Sequence, residues 1–187
     1  MSILGRELLE GEKVRLTALQ RSDAGAITRW QLDMEYQRLL RRGMVFPTNQ
    51  ENIEGWLFSS RGEEGFFPFA IRTLADDRLI GMLAIKDVMW SSRNASFFIS
   101  IGDAADRGRG FGTDAVRVML KYCFMEMNLY RVGLETMAYN PMGISAYRRA
   151  GFQEEGRLRG FVYRDGTYYD MVLMSILRPE WDALTDR

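Results

Sequence analysis

The sequence contains no histidine. That absence removes His-based nucleophile triads, the commonest metal ligand and the usual general base of enzymes at once. No metal site is expected, and acid–base work falls to carboxylates, tyrosines, a thiol or water. One cysteine, Cys123, cannot form an internal disulfide. Net charge is also missing: 25 Lys and Arg balance 25 Asp and Glu. A nucleic-acid backbone is therefore not the expected partner, and any positive site must be local. There is no internal repeat, low-complexity tract or compositional case for a membrane span. The opening MSILGRELLEGEK lacks the basic region and apolar run of a secretion signal, so a cytoplasmic location without a membrane partner is expected.

What remains is an ordinary soluble balance, 47% apolar and 27% charged, in 187 residues. That length suits one well-buried domain and is short for two. KVRLTAL (13–19) alternates as a half-buried strand, and Ser22-Asp23 offers caps for a helix over AGAITRWQLDM. Pro47-Thr48-Asn49 breaks the chain before a helix at 50–58, and a polar loop is expected at 62–65. FFPFAIRTL (66–74) and RLIGMLAIKDV (78–88), separated by Ala75-Asp76-Asp77, predict an antiparallel hairpin, and ASFFISIG (95–102) a third strand. Val116, Met119, Leu120, Cys123, Phe124 and Met127 form one buried helical stripe, which makes Cys123 an inert core thiol rather than an acyl carrier. YRVGLETMA (130–138) alternates as a strand. Asn140-Pro141 then opens a short helix that stops at Gly151, and FVYRDGTYYDMVLMSIL predicts two strands around an Asp165-Gly166 turn. The sum is a mixed α/β domain around a largely antiparallel sheet.

RGRGFG (107–112) lies between a strand and the long helix. Consecutive main-chain amides and the positive end of a helix suit an anion there, and glycine lets a ligand's phosphates approach the backbone. A turn whose glycines only satisfy backbone geometry is the bland alternative. A dinucleotide fingerprint would place a third glycine where Thr113 stands, and a phosphate-binding P-loop would need a lysine before Lys121.

The spacing Arg107-x-x-Gly110-x-Gly112 resembles the pyrophosphate-binding signature of the GNAT superfamily of N-acetyltransferases. NPMGISAYRRAGF (140–152) is similar to the family's second signature: an asparagine, a tyrosine seven residues on, and a Gly-Phe ending the helix. The closing EEGRLRGFVYRDGTYYDMVLMSIL and the opening KVRLTALQRSDAGAITRW resemble the branch that contains the ribosomal-protein N-terminal acetyltransferases RimJ and RimL and the spermidine acetyltransferases. The likeness spans residues 10–181. It implies a single GNAT-fold domain with a central, mostly antiparallel sheet of about seven strands and helices on both faces. It also implies acetyl-CoA as cosubstrate and a primary amine as acceptor.

Carried over residue by residue, the resemblance implies that main-chain amides of Arg107, Gly108, Arg109, Gly110, Phe111, Gly112 and Thr113 bind the CoA pyrophosphate. Arg107 and Arg109 would add charge. The backbone of Phe98, Ile99, Ser100 and Ile101 would pair with the pantetheine arm as with an added strand. Asn140 is sufficient as a helix cap and has a family role on the CoA arm. Tyr147 holds the position that protonates the departing thiolate, with Ser145 a secondary hydroxyl. Where many relatives have serine three residues after the asparagine, Gly143 stands here. With no histidine, Glu135 is the candidate base, against the alternative of a solvated or ion-paired carboxylate. Ser96 stands where relatives often carry a carboxylate.

Residues 30–56 mix Asp33, Glu35, Glu51 and Glu54 with Arg38, Arg41 and Arg42. A peptide N-terminus, a polyamine and an amine-bearing antibiotic all stay open as acceptors, as does a homodimer. A non-catalytic acyl-CoA-binding module, or an interaction protein using Tyr163, Tyr168 and Tyr169, are the rival readings.

Overall fold

A computed structural model describes residues 8–59 and 65–185. The loop expected at 62–65 therefore falls almost wholly outside the described residues. Seven strands form one sheet in the order β1-β2-β3-β4-β5-β7-β6. They are β1 (Val14–Thr17), β2 (Phe67–Thr73), β3 (Leu79–Met89), β4 (Asn94–Ile101), β5 (Arg131–Met137), β6 (Gln153–Arg164) and β7 (Thr167–Leu177). Every neighbouring pair is antiparallel except β4 and β5.

Alternation along the strands separates two cores, because successive side chains leave a strand on opposite faces. Ile71, Leu83 and Phe97 join one core with Val116, Met119, Leu120 and Phe124 of α4 (Phe111–Met125). Their sequence neighbours Ala70, Met82 and Phe98 lie in the other. There they meet α1 (Ala24–Trp30), α2 (Met34–Leu40) and α3 (Gln50–Ser59) through Ile27, Trp30, Tyr36 and Ile53. Helices thus cover both faces, as expected for a GNAT fold. Cys123 is fully buried on the α4 stripe, and burial pushes its thiol up, which leaves it protonated and inert.

The helix expected over AGAITRWQLDM ends at Trp30, and a second helix begins at Met34. Asp33 has an extended backbone and accepts from the amides of Glu35 and Tyr36 at 2.9 and 3.2 Å, so it starts α2 afresh. β6 begins at Gln153, well before the strand expected from Phe161, and α6 (Arg178–Thr185) closes the described chain. The Asp165-Gly166 turn matches expectation: both residues have positive φ, 48° and 81°, which suits the twist of a two-residue hairpin. Among the described residues no helix is long and apolar enough to cross a membrane.

Candidate active site

Parallel strands need even pairing to stay together, and β4 and β5 give it up early. They pair only at Asn94↔Arg131, Ala95↔Val132 and Ser96↔Gly133. Beyond that point β4 stays bonded to β3 as far as Ile101, while β5 stays bonded to β7 as far as Met137. The facing edges of Phe97–Ile101 and Leu134–Met137 therefore diverge and leave main-chain donors and acceptors unpaired across a notch. A cavity of about 640 Å³ fills it, lined by residues 97–101 of β4, Glu135, Thr136 and Met137 of β5, and much of 106–117. Phe98, Ile99, Ser100 and Ile101 are all in the lining. The Ser100 hydroxyl itself faces Tyr36, whose phenol donates to it at 2.9 Å.

At the mouth of the notch the glycine turn has the conformation its composition asks for. Gly108 and Gly110 take φ of 73° and 87°, left-handed values that cost an L side chain strain, and Gly110 caps α4 without a side-chain bond. Among the described residues no protein acceptor serves the amides of residues 108–113. An unserved run of amides at a helix N-terminus is an anion site. Gly108, Arg109, Gly110, Gly112 and Thr113 line the cavity; Phe111 instead packs on the core, with the Arg109 guanidinium 5.1 Å over its ring.

The charges around this turn correct the sequence reading. Arg107 lines the cavity, but the charge it was expected to offer to phosphate is largely engaged within the protein, with only 12% of its side chain exposed. Its guanidinium is consumed by Asp33, Glu35 and the carbonyls of Ile101 and Gly102 at 2.7–3.4 Å. It ties β4 to α2, because the chain turns sharply after Gly102 and brings those carbonyls within its reach. Arg109 is more exposed and only loosely engaged with Asp106 at 3.4 Å. The nearer cation is one the sequence did not single out: Lys13 donates to the Arg109 carbonyl at 3.0 Å. Arg117 and Arg149 line the same cavity.

Asp114 was also missed. Its buried carboxylate accepts from the amides of Glu12, Lys13 and Val14 at 3.2, 2.8 and 3.0 Å. These bonds fix the start of β1 against the first turn of α4 and set Lys13 beside the glycine turn. A carboxylate in a helix's first turn reads in sequence only as a complement to the dipole. Nothing local announces partners a hundred residues away.

On the far wall, α5 (Pro141–Arg149) is capped by Asn140, whose Oδ1 accepts from the Gly143 amide at 3.0 Å. A Cβ at position 143 would stand 2.5 Å from the Asn140 amide nitrogen, so glycine here keeps that cap tight. Asn140, Gly143, Ala146 and Tyr147 line the cavity. Tyr147 packs edge-on against Phe97 and Phe152 at 6.0 and 6.1 Å, and burial pushes its phenol up to about 12. Among the described residues its hydroxyl has no hydrogen-bond partner. Ser145 is corrected: it is exposed, accepts from Arg149 at 2.7 Å and is absent from the cavity lining. The helical repeat that brings Gly143, Ala146 and Tyr147 to the notch carries Ser145 to the other side.

Glu135 stands at the notch and also lines a second cavity of about 1,100 Å³. Its carboxylate accepts from Arg42 at 2.7 Å. Leu40, Phe97, Phe98 and Met137 are shared between the two cavities as well, so they meet where β4 leaves β5. The Ser96 hydroxyl donates to Asp87 at 2.5 Å. Asp87 sits in a bulge of β3 with φ of 53° and lines the second cavity. Among the described residues no cluster of three or more metal-ligating side chains occurs.

With this geometry in view, residues 13–153 match the family model described as an acetyltransferase (GNAT) domain. The SPbeta prophage-derived uncharacterized N-acetyltransferase YokL of Bacillus subtilis (strain 168) is 24% identical over 172 residues, 92% of this chain and 94% of that protein. The putative ribosomal N-acetyltransferase YdaF of the same organism is 32% identical over 110 residues, 59% of this chain and 60% of that protein. The crystal structure of spermidine N-acetyltransferase from Vibrio cholerae in complex with CoA and spermine superposes with a TM-score of 0.81 at 24% identity, covering 90% of this chain and 97% of that one. At that identity the likeness speaks for the fold.

Proposed function

The chain belongs to the GNAT acetyltransferase family, and we propose that it is an acetyl-CoA-dependent N-acetyltransferase acting on a primary amine, with residues 10–181 working as one domain. The observation that carries the reading is the notch between β4 and β5 with an unserved anion turn at its mouth. A pantetheine arm has amides that suit an open strand edge, and a pyrophosphate suits the amides of 108–113. Lys13, Arg109, Arg117 and Arg149 supply the local positive charge in an otherwise balanced chain.

Bound acetyl-CoA supplies an activated thioester. Glu135, at the junction of the two cavities, accepts the proton that an ammonium must lose before it can attack, and gives up Arg42 as the acceptor arrives. A free main-chain amide of β4 stabilises charge developing on the thioester oxygen. Tyr147 donates a hydrogen bond to the departing sulfur. Its phenol near 12 lies well above an ordinary thiol near ~8.5, so it stays protonated as a hydrogen-bond donor while the C–S bond breaks; the sulfur leaves as thiolate and takes up the proton shed by the newly acylated nitrogen, giving the amide and CoA thiol. The acceptor enters through the second cavity and attacks directly; Cys123 has no part.

Thiol release from acetyl-CoA across a panel of amines tests this reading. Turnover with at least one amine supports it. Acetyl-CoA binding without turnover of any amine favours the non-catalytic module, and undetectable acetyl-CoA binding overturns the reading.

A further inference from the structure

The second cavity is charge-compensated in an unusual way for a site that must admit an amine. Among the described residues its lining carries three carboxylates, Asp87, Glu135 and Glu155, and four cations, Arg41, Arg42, Lys86 and Arg131. Each carboxylate is already engaged: Glu135 with Arg42 at 2.7 Å, Glu155 with Arg131 at 2.5 Å, and Asp87 with Lys86. Ser175 and Ser96 add hydroxyl donors to Glu155 and Asp87. Arg41 is left over, its guanidinium 5.6 Å over the Phe46 ring and its Nε buried without a partner. The rest of the lining is mixed: Gln31, Thr48, Asn52 and Asn94 are polar, while the exposed apolar groups are Phe46, Met89 and Trp56 of α3, over the buried Met82, Met137, Met171 and Met174. The other acids of residues 30–56 do not relieve this balance. Asp33 and Glu35 are spent on Arg107, and Glu51 and Glu54 do not line the cavity.

Resting on the acetyltransferase reading, we infer that this cavity selects a primary amine that carries a single positive charge on an apolar, aromatic or thioether body, and rejects polyamines. A polyamine brings several ammonium groups, each of which needs a carboxylate. Here it would have to break ion pairs one after another and would still face the surplus charge of Arg41, a like-charge cost that works against the wrong substrate. A monoamine needs only Glu135, and its body is desolvated against the exposed Phe46, Trp56 and Met89 of the lining.

The test compares kcat/KM from thiol release for 2-phenylethylamine and L-methioninamide with that for spermidine, alongside calorimetric binding of acetyl-CoA. The expected result is at least a ten-fold preference for both apolar amines. Spermidine turned over equally well or better overturns the inference while leaving the acetyltransferase reading intact. Turnover of spermidine with none of either apolar amine does the same, whereas acetyl-CoA binding with no turnover of any of the three overturns the inference and favours the non-catalytic module. Loss of acetyl-CoA binding overturns both. Arg131→Met, which frees Glu155, should shift the preference at least three-fold toward spermidine. Lys86→Met, which frees Asp87 through an independent pair, carries the same expectation should the first variant not fold. An unchanged preference in a folded variant overturns the charge argument.

Discussion

Tyr147 owes its properties to its surroundings: two aromatic rings and a buried helix face hold its phenol near 12, while leaving the hydroxyl on the wall of the notch. Tyr147→Phe should lower turnover about ten-fold, less than the ~100–10,000-fold of a full general acid, because the phenol only donates a hydrogen bond. The dissociation constant for acetyl-CoA should change less than two-fold; unchanged turnover would remove Tyr147 from the mechanism. The same phenol makes a stability prediction. Its folded pKa lies above the 10 of an exposed tyrosine, so its contribution is complete below pH 10 and is lost as pH rises from 10 toward 12. The melting temperature of the wild type should fall relative to that of Tyr147→Phe as pH rises from about 8 to about 11.5, because phenylalanine has no proton to lose; parallel curves would contradict the burial of the phenol. Asp114→Asn tests a residue that sequence did not reveal. Losing charge-assisted bonds to three amides should cost about 2 kcal/mol, or on the order of 5 °C in melting temperature, and should loosen Lys13 from the glycine turn. Tyr147 and Asn140 were legible because they lie in a local pattern with fixed spacing. Asp114 and the inward-turned Arg107 were not, because their partners come from remote segments that only the folded chain assembles.

At the scale of elements, the glycine turn and α4 form one device: left-handed backbone exposes amides, and the helix adds its positive end. Gly108 and Gly110 separate strain from crowding. A Cβ at 108 meets nothing within 4 Å, whereas at 110 it comes within 3.1 Å of the Lys13 Nζ. Both alanine variants pay roughly 1–2 kcal/mol of left-handed strain. Gly110→Ala also displaces the neighbouring cation, so calorimetry should show acetyl-CoA binding weakened more by Gly110→Ala, on the order of ten-fold, than by Gly108→Ala. Equal effects would contradict the role given to Lys13. Strands β2 to β5 and helix α4 were readable from periodicity, since each buries one regular face. α2 was hidden because Asp33 restarts a helix inside a stretch with continuous helical composition. The early part of β6 was hidden for a different reason: it lies at the sheet edge with most of its residues exposed, so it carries no alternation to read.

For the whole molecule, the decisive feature is one place where regular structure stops. Six strand pairings hold the sheet together, and the fourth ends after three residue pairs, so two cavities meet there and share Phe97, Phe98, Glu135 and Met137. Donor and acceptor would meet there. The family, and with it the donor proposed here, was legible from two motifs in the sequence, while the splay and the second cavity's compensated charges were not, because both depend on how strands far apart in sequence diverge. Hydrogen–deuterium exchange of the chain with and without CoA tests the account most directly. It predicts strong slowing of exchange at 97–101 and 108–113, with β1, β2 and β6 unchanged; binding that leaves both segments unprotected would contradict it.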